Sequence, residues 1–206
     1  MAAYEVEARA YDWRTAAFQG HRRRIVAALE SGPGTTVIDV GCGTGLCLPD
    51  LVNKVGFAGH VVGIDQSPTM LSLARERAAA KGWSNLTFLE SPARSAEIPV
   101  MADAALFCAV HDILQSPAAL GNVFSHLRPG GWVVAGGGKF TSSWPGLNMH
   151  VMALHRPFVR SFDGFGRPWN HLEEFVEGLT VTEFAYGTGY VAVGRVPAAN
   201  PEPAST

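Results

Sequence analysis

The segment Val37-Ile38-Asp39-Val40-Gly41-Cys42-Gly43-Thr44-Gly45 constrains this 206-residue chain more than any other. TTVIDV, over 35–40, is a short β-branched run that reads as a buried strand and leads straight into three alternating glycines. A helical pattern follows, so the glycine loop joins a strand to a helix. Glycines there let a ligand come close to the backbone, with the N–H groups of the helix start facing it. A dinucleotide fingerprint would need a third glycine where Leu46 stands, and the phosphate loop GxxxxGK[ST] lacks both its second glycine and its lysine. The loop therefore suits a nucleoside-like ligand without a pyrophosphate. HVVGID (60–65) reads as the next buried strand and ends on Asp65, 20 residues beyond Gly45, where a carboxylate can take both ribose hydroxyls. The competing reading is a structural turn with an acid ahead of a helix.

The flanking chain repeats the strand-helix alternation. Phe18, Ile25 and Leu29 recur at helical spacing and predict a helix over Thr15 to Glu30, stopped by Gly32-Pro33. A second helix is expected from Leu46 to Val55. A third follows Ser67 as N-cap, with Pro68 at its first position and Gly82 as its stop. LTFLE (86–90), ADAALFCAV (102–110) and WVVAGGG after the LRPGG turn read as strands three, four and five, with a helix opening at Ser116-Pro117. Nearly continuous apolar strands in this order argue an α/β fold, a parallel sheet covered by helices on both faces. A further helix is expected near 170–178. VTEFAY and GYVAVGR then read as an antiparallel hairpin around Gly187-Thr188-Gly189. One domain over 1–196 is expected, with 1–32 as a helical cap and 197–206 as a disordered tail.

Apolar residues at 47% and charged residues at 17% are enough for a core without metal or disulfide staples. A net charge of −2 gives no footprint for gripping nucleic acid. No apolar stretch reaches the ~20 residues of a membrane span, and the first residues lack the apolar core of a signal peptide. The odd count of 3 cysteines fits a reducing cytoplasm better than a disulfide framework.

VIDVGCGTG, GIDQSPTMLSLA, AVHDIL and LRPGGWVV, spread over about Val37 to Val134, together resemble the class I S-adenosylmethionine-dependent methyltransferases. The resemblance implies a doubly wound, Rossmann-like sheet of seven strands in the order 3-2-1-4-5-7-6, the last hairpin supplying the antiparallel strand. It implies S-adenosyl-L-methionine as cofactor. Gly41, Gly43 and Gly45 would make room for its methionine end, Asp39 would lie near its amino group, and Asp65 would take the ribose hydroxyls. Gln66 and Met70 would border the adenosine. Many relatives carry an aspartate for the adenine amino group after strand three. Here the stretch is Glu90-Ser91-Pro92-Ala93-Arg94, so backbone around Ala93 and Arg94, or Ser91, is expected to hold adenine instead.

His111 follows the fourth strand, where an acceptor's proton must be removed. An imidazole suits that near neutrality, although a positioning role is the alternative. No [DN]PP[FYW] or Pro-Cys motif is present, no cysteine–histidine spacing suggests zinc, and Asp112 alone is thin support for magnesium. Cys42, Cys47 and Cys108 read as small buried thiols. Arg22, Arg23 and Arg24 read as a solvated helix face, with an anionic substrate or lipid headgroup as the alternative. The aromatic-rich stretch 139–170, including Trp144 and Trp169, is expected to form a lid over an apolar or aromatic acceptor. His150 and His155 are expected on its polar rim, with Tyr4, Tyr11 and Trp13 on the opposite wall. The expected function is methylation of a small molecule, with no metal, no nucleic acid and no membrane span; the oligomeric state is left open. Protein or RNA methylation, or cofactor binding without transfer, are the alternatives.

Overall fold

Val37, Ile38, Asp39 and Val40 are all buried on β1 (Thr36–Val40), which lies between two parallel neighbours and is covered on both faces. The computed structural model describes residues 12–198. After a 3-10 turn over Ala16–Phe18 come α1 (Gln19–Ala27), β1, α2 (Leu48–Val55), β2 (His60–Asp65), α3 (Pro68–Lys81) and β3 (Leu86–Glu90). They are followed by β4 (Ala102–Cys108), α4 (His111–Leu114), α5 (Pro117–Phe124), β5 (Leu127–Gly138), α6 (Asn148–His155), β6 (Glu177–Phe184) and β7 (Gly189–Arg195). The sheet order is β3-β2-β1-β4-β5-β7-β6. The first five strands of that order run parallel, and β7 is antiparallel to both β5 and β6.

Alternation along the strands divides the core in two. Ile38, Val40, Ile64 and Phe107 pack with Leu120 and Val123 of α5, while Val37, Val61 and Leu106 pack with Ile25 of α1 and Leu51 of α2. The chain departs from β1 in opposite directions, to β2 and to β4, and the crevice at the strand ends between them is where this architecture takes ligands. No helix among the described residues is long and apolar enough to cross a membrane.

Several boundaries differ from the sequence expectation. The first helix ends at Ala27, ahead of the Gly32-Pro33 stop; the chain then tightens, with Leu29 N donating to the Val26 carbonyl, and Lys54 Nζ donates to the Leu29 carbonyl at 2.7 Å. The second begins at Leu48, since Leu46 and Cys47 still belong to the glycine turn. The helix expected near 170–178 is only a 3-10 turn over His171–Glu174, and β6 already starts at Glu177. The hairpin turns on Ala185 and Tyr186, both in the left-handed region, ahead of Gly187. Ser67 caps α3 as expected, accepting from Met70 N at 3.4 Å. Tyr4, Tyr11 and the tail from 199 lie outside the described residues.

Candidate functional site

The loop after β1 is held by Asp65 at the tip of β2. Asp65 Oδ2 accepts from Gly43 N and Oδ1 from Ser67 N, both at 2.9 Å. Burial pushes the Asp65 carboxyl up, while those backbone donors pull it back. Gly41 and Gly43 both have positive φ, 69° and 55°, and do different work. A Cβ on Gly41 would lie 2.5 Å from Val110 Cγ1 and 3.0 Å from Ile113 Cδ1, whereas one on Gly43 would meet nothing within 4 Å. Gly43 therefore faces open space, and Gly45 packs against Leu48 and Ala74. Gly41→Ala is expected to cost ~2 kcal/mol through left-handed strain and overpacking against Val110. A thermal melt checks this; a variant melting with its parent would show that Val110 has room to give.

Asp39 lies beneath the loop, 1% exposed, and its Oδ2 has no hydrogen-bond partner. Burial, and then the charge of Asp65, push its carboxyl up to about 7. On the outer side Thr44 Oγ1 donates to Asp12 Oδ1 at 2.5 Å and Arg77 Nη2 to Asp12 Oδ2 at 2.6 Å, pinning the incoming chain against the loop. Gln66 is exposed, Met70 half-buried and Arg94 exposed. Ala93 is buried, its carbonyl taken by Asn122 Nδ2 at 2.9 Å, and Ser91 N donates to the Asp65 carbonyl. The segment after β3 is thus fixed beside the end of β2.

Past β4 the chain turns sharply at Ala109, a non-glycine residue with φ 58°, whose N–H donates to the Gly136 carbonyl. His111 then opens α4, 7% exposed, with its ring edge-on to Phe165 at 4.8 Å. His111 Nε2 lies 2.9 Å from the Asp163 carbonyl. A carbonyl only accepts, so Nε2 carries the proton and Nδ1 the lone pair, and Nδ1 is buried without a partner. Burial holds the imidazole below its usual range, opposed by the Asp163 carbonyl and by Asp112.

His111 lines a cavity of about 330 Å³ that runs between the ends of β4 and β5 and is closed by α1 and α6. Phe18 and Ile25 form one wall, Leu147, Val151 and Leu154 another, and Phe158, Phe165, Tyr186 and Tyr190 the rest. Its polar groups include His21, Arg22, His150 and His155. His155 Nδ1 donates to the Val151 carbonyl at 2.9 Å, and its Nε2 lies so close over Gly138 that no side chain fits there. The size is within the range of small-molecule sites.

A family model described as a methyltransferase domain matches residues 31–144, more than half of the chain. The chain belongs to this methyltransferase family. S-adenosyl-L-methionine is the family's cofactor. Aklanonic acid methyltransferase DauC of Streptomyces sp. (strain C5) is 39% identical over 77 residues, 37% of this chain and 35% of that protein. The chain thus spans about a third of that relative's length. The demethylmenaquinone methyltransferase of Lactococcus lactis is 27% identical over 78% of this chain and 67% of its own. A SAM-dependent methyltransferase from Aquifex aeolicus shares the fold with a TM-score of 0.66 at 18% identity, covering 93% of this chain and 98% of that one. N-methyltransferase NodS from Bradyrhizobium japonicum, solved with S-adenosyl-L-homocysteine, has a TM-score of 0.61 at 17% identity over 89% of this chain and 88% of its own.

The methyltransferase cradle fits this cofactor on its own residues. Asp39 offers an unmatched buried oxygen to an ammonium group, Gly43 leaves space, and Asp65 presents its carboxylate at the tip of β2. Other expectations are corrected. Arg22 is not on a solvated face: it is 6% exposed, because α1 lies over the sheet and turns this position inward with Ile25. Trp144 is 59% exposed and Trp169 is buried against Tyr190, so neither tryptophan lines the cavity. Trp13, 82% exposed, does not line it either. Tyr186 and Tyr190 escaped the sequence reading as cavity groups, and Arg22 entered it only as the alternative to a solvated face. Positions at helical or alternating spacing signal burial, but not what they are buried against.

Proposed function

We propose that this protein transfers a methyl group from S-adenosylmethionine to a small, largely apolar or aromatic acceptor. The observation that carries this is the cavity at the ends of β4 and β5, lined by aromatic and aliphatic side chains and adjoining the cradle through Ala109 and Val110. S-adenosylmethionine supplies an electrophilic methyl group when bound. Asp39 holds its ammonium, Gly41, Gly43 and Gly45 give its methionine end room, and Asp65 takes the ribose hydroxyls. Gln66 and Met70 border the adenosine, with the backbone of Ala93 and Arg94 beside the adenine. His111 accepts the acceptor's proton at Nδ1, its ring fixed by the Asp163 carbonyl and by Phe165. Part of the 139–170 segment, through Leu147, Val151, Leu154 and Phe158, walls the acceptor off from water. Two relatives are named for small-molecule acceptors, aklanonic acid and demethylmenaquinone, which supports the same class.

Two measurements test this reading. Label from the cofactor's methyl group should appear in members of a panel of phenols and aromatic acids, and its absence throughout would leave cofactor binding alone. Asp65→Ala should weaken binding of S-adenosylhomocysteine by ~1.5–3 kcal/mol, the worth of a charge-assisted hydrogen bond. Undiminished binding by a folded variant, seen by calorimetry, would overturn the assignment of Asp65 to the ribose.

A further inference from the structure

Arg22 is a buried cation with no counter-ion among the described residues. Its Nη1 donates to the Thr15 carbonyl at 3.0 Å, and no carboxylate pairs with it among the described residues. A guanidinium has five N–H donors, and a single neutral carbonyl does not compensate a charge withdrawn from water. Arg22 lines the cavity. Four histidines, His21, His111, His150 and His155, face the same space, and among the described residues no aspartate or glutamate does. An apolar chamber that holds a permanent cation and no carboxylate among the described residues attracts a negative charge, and in a low dielectric it holds one strongly.

We propose that Arg22 is the anion-binding residue of this cavity and that the methyl acceptor carries an acidic group, a carboxylate or an ionised enol or phenol, which the guanidinium takes in a bidentate grip. The proposal rests on the reading of the cavity as the acceptor site and narrows that reading from apolar or aromatic compounds to acidic ones. An anion fixed by Arg22 would sit at the α1 side of the chamber, and the aromatic body would lie among Phe18, Leu154 and Phe165. The cofactor's methionine end carries a carboxylate too, so the test must tell the two sources apart.

The probes are 1-hydroxy-2-naphthoate and its methyl ester, titrated by calorimetry into protein saturated with S-adenosylhomocysteine. The acid should bind at least about tenfold more tightly than the ester. Arg22→Met should weaken the acid by about 10- to 100-fold and leave the ester unchanged, without lowering the melting temperature, since an unpaired buried charge has been removed. Arg22→Lys keeps the charge but loses the planar fork, and should recover part of the acid's affinity. A purely structural role in holding Thr15 would not distinguish acid from ester. Equal binding of acid and ester, or undiminished acid binding by Arg22→Met, would overturn the proposal and leave the cavity as an acceptor site. Failure of both probes to bind the wild-type protein would count against the cavity reading as well. Affinity for S-adenosylhomocysteine that falls in Arg22→Met, with acid binding intact, would assign the arginine to the cofactor and overturn the proposal.

Discussion

Asp39→Asn is expected to make the protein more stable above neutral pH and, at the same time, a poorer binder of its cofactor. Asp39 is 1% exposed, has an unmatched Oδ2, and titrates at about 7 because of burial and the charge of Asp65. Its unfolded value is 3.8, so the folded carboxyl holds a proton that the unfolded chain has already released between those two values. The stability tied to this proton is therefore complete below 3.8 and is lost progressively as the pH rises from there to about 7. Above that point an ionised, unpartnered Asp39 costs roughly 4 kcal/mol, because each tenfold difference in proton affinity between folded and unfolded chain is worth about 1.4 kcal/mol. Asparagine keeps the shape and cannot ionise. Thermal melts should then show Asp39→Asn well above the wild type at pH 8.5, with the gap narrowing steadily as the pH falls toward 3.8. Cofactor binding should move the other way, because a carboxylate facing an ammonium is worth ~1.5–3 kcal/mol. Wild-type affinity should also tighten as the pH rises through 7 and Asp39 ionises. A variant that is destabilised at pH 8.5, or that binds S-adenosylhomocysteine as tightly as its parent, would place the ammonium elsewhere.

That combination of strain and use explains which parts of the site were readable in sequence. Gly41, Gly43 and Asp65 stand at fixed offsets from two strand ends, so local chemistry names them: positive φ demands glycine, and a strand-terminal acid ahead of Ser67-Pro68 sits where it can brace the loop. Local rhythm indicated a parallel sheet covered by helices, and the strand order came from the family resemblance. What stayed hidden depends on distant chain. The Asp163 carbonyl that fixes the His111 tautomer is 52 residues away, and no spacing reports it. Arg22 looked solvated because three consecutive arginines circle a helix, and only the packing of α1 on β5 decides which of them is turned inward. The aromatics of 139–170 did not separate the chains that line the cavity, such as Leu147 and Phe158, from Trp169, which fills the core beside Tyr190.

His111→Ala is expected to lower kcat by ~10²–10⁴-fold while leaving affinity for S-adenosylhomocysteine nearly unchanged, the loss associated with a positioned general base. The separation follows from placement. Asp39, the glycines and Asp65 form the cradle at the ends of β1 and β2, whereas His111 stands past β4 and shares its cavity with His155 and Phe165. Burial lowers the imidazole pKa, with His155 adding to the shift and the Asp163 carbonyl and the charges of Asp112 and Asp163 opposing it. The neutral, proton-accepting form is therefore present at neutral pH, and kcat should fall only as the pH drops below the ordinary histidine value of 6.5. A positioning role gives a different pattern. His111→Gln would then retain most of kcat, because an amide can still donate to the Asp163 carbonyl, and the acid limb would persist in the variant. General-base action requires that His111→Gln be as slow as His111→Ala and that the acid limb disappear with the imidazole. Steady-state rates of the three proteins between pH 5 and 8, with an acceptor found in the labelling panel, decide between the two roles.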